Sequence, residues 1–356
     1  MTILYLDSET FSPTPIKHGL HRYAEKVEVM LVAYAFDDEP AQCWDRTAGI
    51  CPARLWNAVK DPSVQVVIHN SPFDRRVLAQ PPMGWDIDLS RVFDTMACAL
   101  SHSLPGSLDT LCGILGVPSE LAKLKTGRQL IQLFCKPNSK GERNTRETHP
   151  QKWLEFIDYA KGDIPSMREV YKRLPKWNYP TIERHVFALD QRINERGVAV
   201  DVELAQAAVR AVDLAQAGLG ARARKLTNDA VKSARQRDAM LAHILEAYGI
   251  TLPDMRADTL ERRIADPDLP EALRDLLGVR LQATTTSTAK YQALLNGVSS
   301  DGRLRGTLQY CGAARTGRWS GRLMQLQNLP RPTLPQEEID RAIDALKLDC
   351  ADLIYD

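Results

Sequence analysis

Leu4 to Thr10 reads LYLDSET, and the fold of the first half of the chain turns on it. The apolar run from Thr2 to Leu6 predicts a strand. Asp7 and Glu9 close that run two residues apart, so on a strand both carboxylates point to the same face. Working outward, Val27 to Phe36 (VEVMLVAYAF) predicts a second strand and Ala41 to Trp44 a third. Ala53 to Lys60 is helical in pattern, and Val64 to Ile68 (VQVVI) is a buried strand. A helix follows, with Ser71 as its cap and Pro72 at the first helical position, where a missing N–H costs nothing. Phe93 to Met96 predicts a short strand, and the pattern beyond it is helical through Leu174. Strands first and helices later imply an α/β fold, a mixed sheet covered by helices.

The remainder is different in character. PKWNYP (175–180) carries two prolines and marks a boundary. Residues 181–295 show the 3.6-residue apolar period of helices, over Leu204 to Thr227, Gln236 to Tyr248, Thr259 to Ile264 and Leu273 to Leu295. From Asp301 the chain is rich in glycine and arginine. Gln336 to Leu348 predicts an amphipathic helix. No internal repeat or low-complexity tract is present.

Composition excludes several classes. At 356 residues the chain is long enough for two domains, and 26% charged with 44% hydrophobic residues is ordinary for a globular protein. A formal net charge of +1 neither supports nor excludes a nucleic-acid partner. The seven cysteines are odd in number and form no C-x-x-C pair, against both a secreted disulfide framework and a zinc ribbon. There is no H-E-x-x-H. The opening MTILYLDSET is acidic by its seventh residue, so it does not read as a signal peptide. No apolar run approaches the roughly 20 residues that span a bilayer. A cytoplasmic protein with reduced thiols and no membrane partner is expected.

Two further carboxylates join the first pair. Asp74, in HNSPFD, has Asn70 four residues before it, and Asp163, in YAKGD, has Tyr159 four residues before it. Residues four apart share one face of a helix. Convergence of Asp7, Glu9, Asp74 and Asp163 would make an acidic pocket. At an effective dielectric near 20, one pair of such charges 4 Å apart costs about 4 kcal/mol. Divalent cations offset that repulsion, and hard oxygen ligands suit two Mg²⁺ or Mn²⁺ ions. Two ions about 4 Å apart align an attacking water with the leaving 3′ oxygen of a phosphodiester. Tyr159 is placed to orient the water, and Asn70 to hold the pocket or touch the substrate strand. Each signal alone is common in chains with no such chemistry. Their order and contexts together point to a nuclease.

That pattern resembles the DEDD superfamily of 3′→5′ exonucleases in its tyrosine-bearing form, over roughly residues 1–175. The resemblance implies an RNase H-like fold. It implies that Asp7, Glu9, Asp74 and Asp163 bind metal, that Tyr159 orients water, and that Asn70 and Phe73 contact substrate. DTMACALSHSLPGSLDTLCGILG (94–116) is also similar to the stretch between the family's second and third motifs. Single-stranded DNA 3′ ends are the implied substrate. RNA trimming, as in RNase D-like relatives, is the competing use of the same chemistry.

Residues 315–331 hold Arg315, Arg318, Arg322 and Arg331 with no acid among them. Such a segment is either a solvated basic loop or a phosphate-binding one. RTGRWSGRLMQLQNLPRP (315–332) resembles the T-G-R-x-S…L-Q-N-[IL]-P motif of family A, polymerase I-like DNA polymerases in a phage-type version. By that resemblance Arg315, Thr316, Arg318, Ser320, Gln327 and Asn328 contact a primer–template duplex. INERGVAVD (193–201) resembles the start of the family's thumb, and STAKYQALL (287–295) the helix leading into its palm. The implied organisation is an exonuclease domain over 1–177, a helical thumb-like region over 178–300, and an incomplete palm over 301–356. The family's nucleotidyl-transfer aspartates and fingers helix lie downstream of the L-Q-N-P motif, whereas this chain stops at Asp356. DCADLIYD (349–356) has aspartates but no preceding apolar strand. The expectation is a truncated form or one half of a split enzyme. The alternative to a proofreading exonuclease is then a DNA-binding subunit, whose partner chain carries palm and fingers.

Lesser features read more plainly. His69 ends a buried strand, the position of a satisfied core group. Trp319 reads as packing against the thumb rather than stacking on a base. Arg222, Arg224, Lys225, Lys232, Arg235 and Arg237 form a basic cluster, either a solvated helix face or a track for a duplex backbone.

Overall fold

A computed structural model describes residues 2–118, 127–285, 288–329 and 331–351. It separates into two units, Met1–Val200 with Gly297–Leu329, and Asp201–Asn296 with Pro330–Asp356. These boundaries differ from those read by composition at 177 and 300. The first unit keeps the helix after PKWNYP, because Phe187 packs edge-on against Tyr310, 5.4 Å between ring centroids.

In the first unit β1 (Ile3–Phe11) leads through α1 (Leu20–Ala24) to β2 (Glu28–Phe36) and β3 (Gln42–Asp45). Next come α2 (Ala53–Lys60), β4 (Gln65–Ile68), α3 (Ser71–Leu78), β5 (Val92–Asp94) and α4 (Thr95–Ser101). The helices α5 (Leu108–Ile114), α6 (Gly127–Phe134), α7 (Pro150–Arg173) and α8 (Thr181–Arg196) follow, then β6 (Val198–Ala199). Residues 119–126, within the span expected to be helical through Leu174, lie outside the described residues.

The strands form one sheet in the order β3-β2-β1-β4-β5. β4 and β5 are parallel to β1, and β2 is antiparallel to both β1 and β3. This is the RNase H-like arrangement, a mixed sheet flanked by helices, as expected. Side-chain alternation sorts the core into two layers. Tyr5, Leu31, Ala33, Ala35 and Val67 face Trp153, Phe156, Ala160 and Ile164 of α7. Leu4, Leu6, Val32, Tyr34 and Val66 face Leu55 of α2 and Val77 and Leu78 of α3.

Two local expectations are corrected. β1 does not stop near Leu6 but continues to Phe11. The polar residues stay in the strand because their backbone is laddered to β2, with Asp7 opposite Ala33 and Glu9 opposite Leu31, before a bulge between Glu9 and Thr10. Ser71 is not the cap of α3. The cap position is Asn70, in the left-handed conformation at φ 67°, which asparagine tolerates better than most residues. Asn70 therefore precedes the helix that carries Asp74, and helical spacing does not relate the two.

The second unit opens with α9 (Val202–Leu226), whose start is capped by Asp201 accepting from the Leu204 amide at 2.9 Å. α10 (Arg237–Tyr248), α11 (Ala257–Ile264) and α12 (Glu271–Thr285) pack around Met240, Ile244, Leu260, Leu273, Leu276 and Leu277. α13 (Ala289–Gly297) is separate from α12, so the single helix expected over Leu273 to Leu295 is two. A run of threonines ends α12, and the Thr284 hydroxyl donates back to the carbonyls of Arg280 and Leu281, competing with the helical ladder. Residues 286 and 287 lie outside the described residues.

The chain then returns to the first unit. β7 (Arg303–Leu304) pairs with β6, and β8 (Leu308–Ala313) and β9 (Arg318–Gly321) make a hairpin. The last helix, α14 (Gln336–Lys347), belongs to the second unit, where Lys347 pairs with Asp201 at 2.6 Å. Asp352 and Asp356 of the tail lie outside the described residues.

Candidate functional site

β1 and α7 build an acidic centre. Asp7 and Glu9 sit on the face of β1 that α7 covers, and α7 carries Tyr159 and Asp163 one turn apart. α7 is fixed over this face by Trp153, whose indole N–H donates to Asp45 Oδ2 at 2.8 Å, and by Arg168, which donates to the Glu39 carbonyl at 2.7 Å. Carboxylate oxygens of Asp7, Glu9 and Asp163 all lie within 4.8 Å of one another. At that separation each like-charged pair costs about 3 kcal/mol at an effective dielectric near 20. Three oxygen donors at this spacing, with Glu9 and Asp163 only 9% and 6% exposed, fit a hard divalent cation.

Asp74 is not one of the three residues whose oxygens lie mutually within 4.8 Å. It stands on α3, and α3 covers the opposite face of the sheet. Ser8, between the two acids of β1, points to that face and donates from Oγ to Asp74 Oδ1 at 2.6 Å. Burial pushes the Asp74 carboxyl up to about 7, against the lowering effect of the Ser8 hydroxyl. Ser8 was missed by the sequence reading, although its place between Asp7 and Glu9 marks it for the other face.

Tyr159 is 1% exposed and stacks on Phe156 at 6.3 Å. Its ring lies flat against Gly127 at the start of α6, where any Cβ would overlap the ring carbons. Gly127 is a second residue the sequence did not single out. Cys135, just past α6, donates from Sγ to Glu9 Oε2 at 3.7 Å, and burial pushes its thiol up, so it lies beside the acids as a neutral group.

A third omission is Asp94. Fully buried at the end of β5, its carboxylate accepts from the amides of Ser71 (2.7 Å), Asn70 (3.3 Å) and Ala97 (3.0 Å). One side chain thus caps both α3 and α4. His69 behaves as expected of a structural group, with ring nitrogens 2.9 Å from Thr95 Oγ1 and from the Gly106 carbonyl.

Two cavities border this region. One of about 550 Å³ runs from Ser8, Glu9 and Thr10 past Pro13, Ile131 and Lys136 to Phe73. The other, about 390 Å³, lies across Phe73 and Asn70 and is closed by α8 and the β8–β9 hairpin. Phe73, expected to touch substrate, lines both cavities, including the one that reaches Glu9, and Asn70 lines the other.

The arginine segment forms the tip of that hairpin. The turn closes through the Thr316 and Gly317 amides donating to the Ala313 carbonyl, with Gly317 at φ 64°. Arg315, Thr316 and Arg318 are exposed, as are Gln327 and Asn328 beyond it. Among the described residues neither Arg315, Arg318 nor Arg322 has a carboxylate partner. Ser320 lies against Gly312, and Gln327 packs onto Gly321, positions where a Cβ would overlap those side chains. Trp319 is 41% exposed. In the second unit Arg222, Arg224, Lys225, Lys232, Arg235 and Arg237 are all exposed. Among the described residues no helix is long and apolar enough to cross a membrane.

Comparison with known proteins follows the same lines. No family model matches. Over its whole length the chain is 34% identical to a DNA polymerase of Bacillus phage SP02, of which it spans 55%. This bears out the resemblance to the N-terminal portion of a phage-type DNA polymerase. Among solved structures, the POL domain of Pol1 from M. smegmatis, in complex with DNA primer-template and dNTP, covers 93% of this chain and 53% of its own, with a TM-score of 0.54 at 16% identity. That likeness is one of fold.

Proposed function

We propose that the first unit is a 3′→5′ exonuclease that trims single-stranded DNA 3′ ends to nucleoside 5′-monophosphates, the proofreading activity of a family A DNA polymerase. The observation that carries this reading is the cluster of Asp7, Glu9 and Asp163 oxygens within 4.8 Å of one another on an RNase H-like sheet. These three residues, with Asp74, would hold two divalent cations, Mg²⁺ or Mn²⁺. The ions, when bound, would supply charge neutralisation at the scissile phosphate and a lowered pKa for the attacking water.

The chain's own residues supply the rest. Asp163 and Glu9 present fixed carboxylate oxygens from a helix and a strand, so little reorganisation is needed on binding. Asp74, whose Oδ1 accepts from Ser8 Oγ at 2.6 Å, would supply the fourth carboxyl of the metal-binding set. Tyr159, clamped between Phe156 and Gly127, aims its hydroxyl at the attacking water. The 550 Å³ cavity beside Glu9 offers apolar walls for a terminal base and Lys136 for its phosphate. A paired terminus must be unstacked to enter, so single strands are preferred.

The test is hydrolysis of a labelled oligonucleotide. Wild-type protein with Mg²⁺ should shorten a single-stranded 3′ end faster than a duplex end or an RNA end. Asp7→Ala should lose activity by orders of magnitude with an unchanged circular dichroism spectrum. Full activity in that variant refutes the assignment.

A second reading is favoured by the exposed arginines of the hairpin, which among the described residues have no carboxylate partner. Arg315, Thr316, Arg318, Ser320, Gln327 and Asn328 would hold primer–template for palm and fingers carried by a partner chain. Nucleotide incorporation that appears only on adding such a chain supports it, and incorporation by this chain alone contradicts it.

A further inference from the structure

Glu9 is the acid that its own strand constrains least. The ladder between β1 and β2 shifts register directly after it, at the bulge between Glu9 and Thr10. A bulge re-aims the side chains beside it, so strand geometry alone does not fix this carboxylate. Glutamate also loses much rotamer freedom when it is held, at a cost of up to about 1.5–2 kcal/mol. A carboxylate that is held before its ligand arrives avoids that cost at the moment of binding.

The group that holds it comes from the end of α6. Cys135 donates from Sγ to Glu9 Oε2 at 3.7 Å. Both residues line the cavity of about 550 Å³ beside the acids. A thiol is protonated at neutral pH and acts as a weak donor. Cys135 is itself fixed. Its amide donates to the Ile131 carbonyl at 2.9 Å, which continues the ladder of α6. Its neighbour Phe134 is fully buried, stacked on Phe156 at 5.2 Å and edge-on to Trp153 at 4.9 Å. Phe156 and Trp153 belong to α7, the helix that carries Asp163. Thus α6 is pinned to the helix of one acid and reaches across to the acid of the strand. Its first residue, Gly127, lies against Tyr159. The same short helix therefore meets the acidic centre at both of its ends.

We propose that Cys135 is a positioning residue, which holds the Glu9 carboxylate ready for a divalent cation without touching cation or substrate. This rests on the reading of the acids as a metal-binding set. Removing the outer partner of a ligating side chain typically weakens metal binding by about 10–100-fold. A thiol is a weak donor, so about tenfold is expected here.

The test is Mn²⁺ binding without substrate, followed by electron paramagnetic resonance at one pH. Cys135→Ala should bind Mn²⁺ about tenfold more weakly than wild type. Cys135→Ser, which restores a donor, should recover most of that loss. Cys135→Val, close in size but with no donor, should bind as weakly as the alanine variant, and it makes the same comparison should Cys135→Ala not fold. Wild-type affinity in the two apolar variants overturns the inference, as does a loss that serine leaves untouched, since the thiol would then only fill space. Failure of the metal-binding reading is seen separately, as Asp7→Ala binding Mn²⁺ as tightly as wild type, and it would take this inference with it.

Discussion

Tyr159 owes its position to a residue that has no side chain. Gly127→Ala would place a methyl group inside the phenol ring, so ring or helix must move. Overpacking of this kind costs about 1–3 kcal/mol. If Tyr159 aims the attacking water, the substitution lowers kcat with little change in KM. The double variant with Tyr159→Phe then loses less than the sum of the two single losses, because both act on one hydroxyl. Additive losses would mean that Gly127 matters only for folding. Asp190 gives a prediction in pH. Its folded carboxyl is held near 7 by burial, above its unfolded value of about 3.8. The folded state thus keeps a proton that the unfolded state has lost between about pH 4 and 7, and its contribution to stability declines as pH rises through that window. Asp190→Asn should accordingly melt higher than wild type at pH 8, with the gap closing by pH 4. A gap independent of pH contradicts the assignment.

At the scale of elements, Asp94 joins β5, α3 and α4 through one carboxylate. Asp94→Ala strips caps from two helices, each worth about 1 kcal/mol, and leaves the buried Ser71 amide unpaired. A loss of at least about 2 kcal/mol in urea unfolding is expected, with Asp94→Asn recovering much of it. A loss confined to a few tenths would show that water replaces the carboxylate. The same region shows how far the sequence reaches. Alternation in LYLDSET was enough to place Asp7 and Glu9 together, and spacing in YAKGD put Tyr159 and Asp163 on one helix. These are local facts, fixed by strand and helix geometry. The hydrogen bond from Ser8 to Asp74 was not foreseen because it depends on which layer α3 occupies, and that is a property of the sheet. Asp94 and Gly127 were invisible for the same reason, since each acts on elements distant in sequence. The break between α12 and α13 was missed because the apolar period runs through it.

For the whole molecule, the sheet that carries the acids is distinct from the exposed basic residues of the hairpin. Arg315→Ala with Arg318→Ala should weaken binding of a primer–template duplex and reduce its salt slope by about 2, one for each lost phosphate contact. The same double variant should hydrolyse a short single strand at the wild-type rate. An unchanged slope would make the hairpin a solvated loop. All of this depends on three acids from a strand and a helix acting as one ligand set. The most direct measurement is an anomalous difference map from crystals soaked in Mn²⁺. The account predicts density between Asp7, Glu9 and Asp163 that disappears in Asp7→Ala crystals, and Mn²⁺ bound elsewhere with nothing among these carboxylates would contradict it.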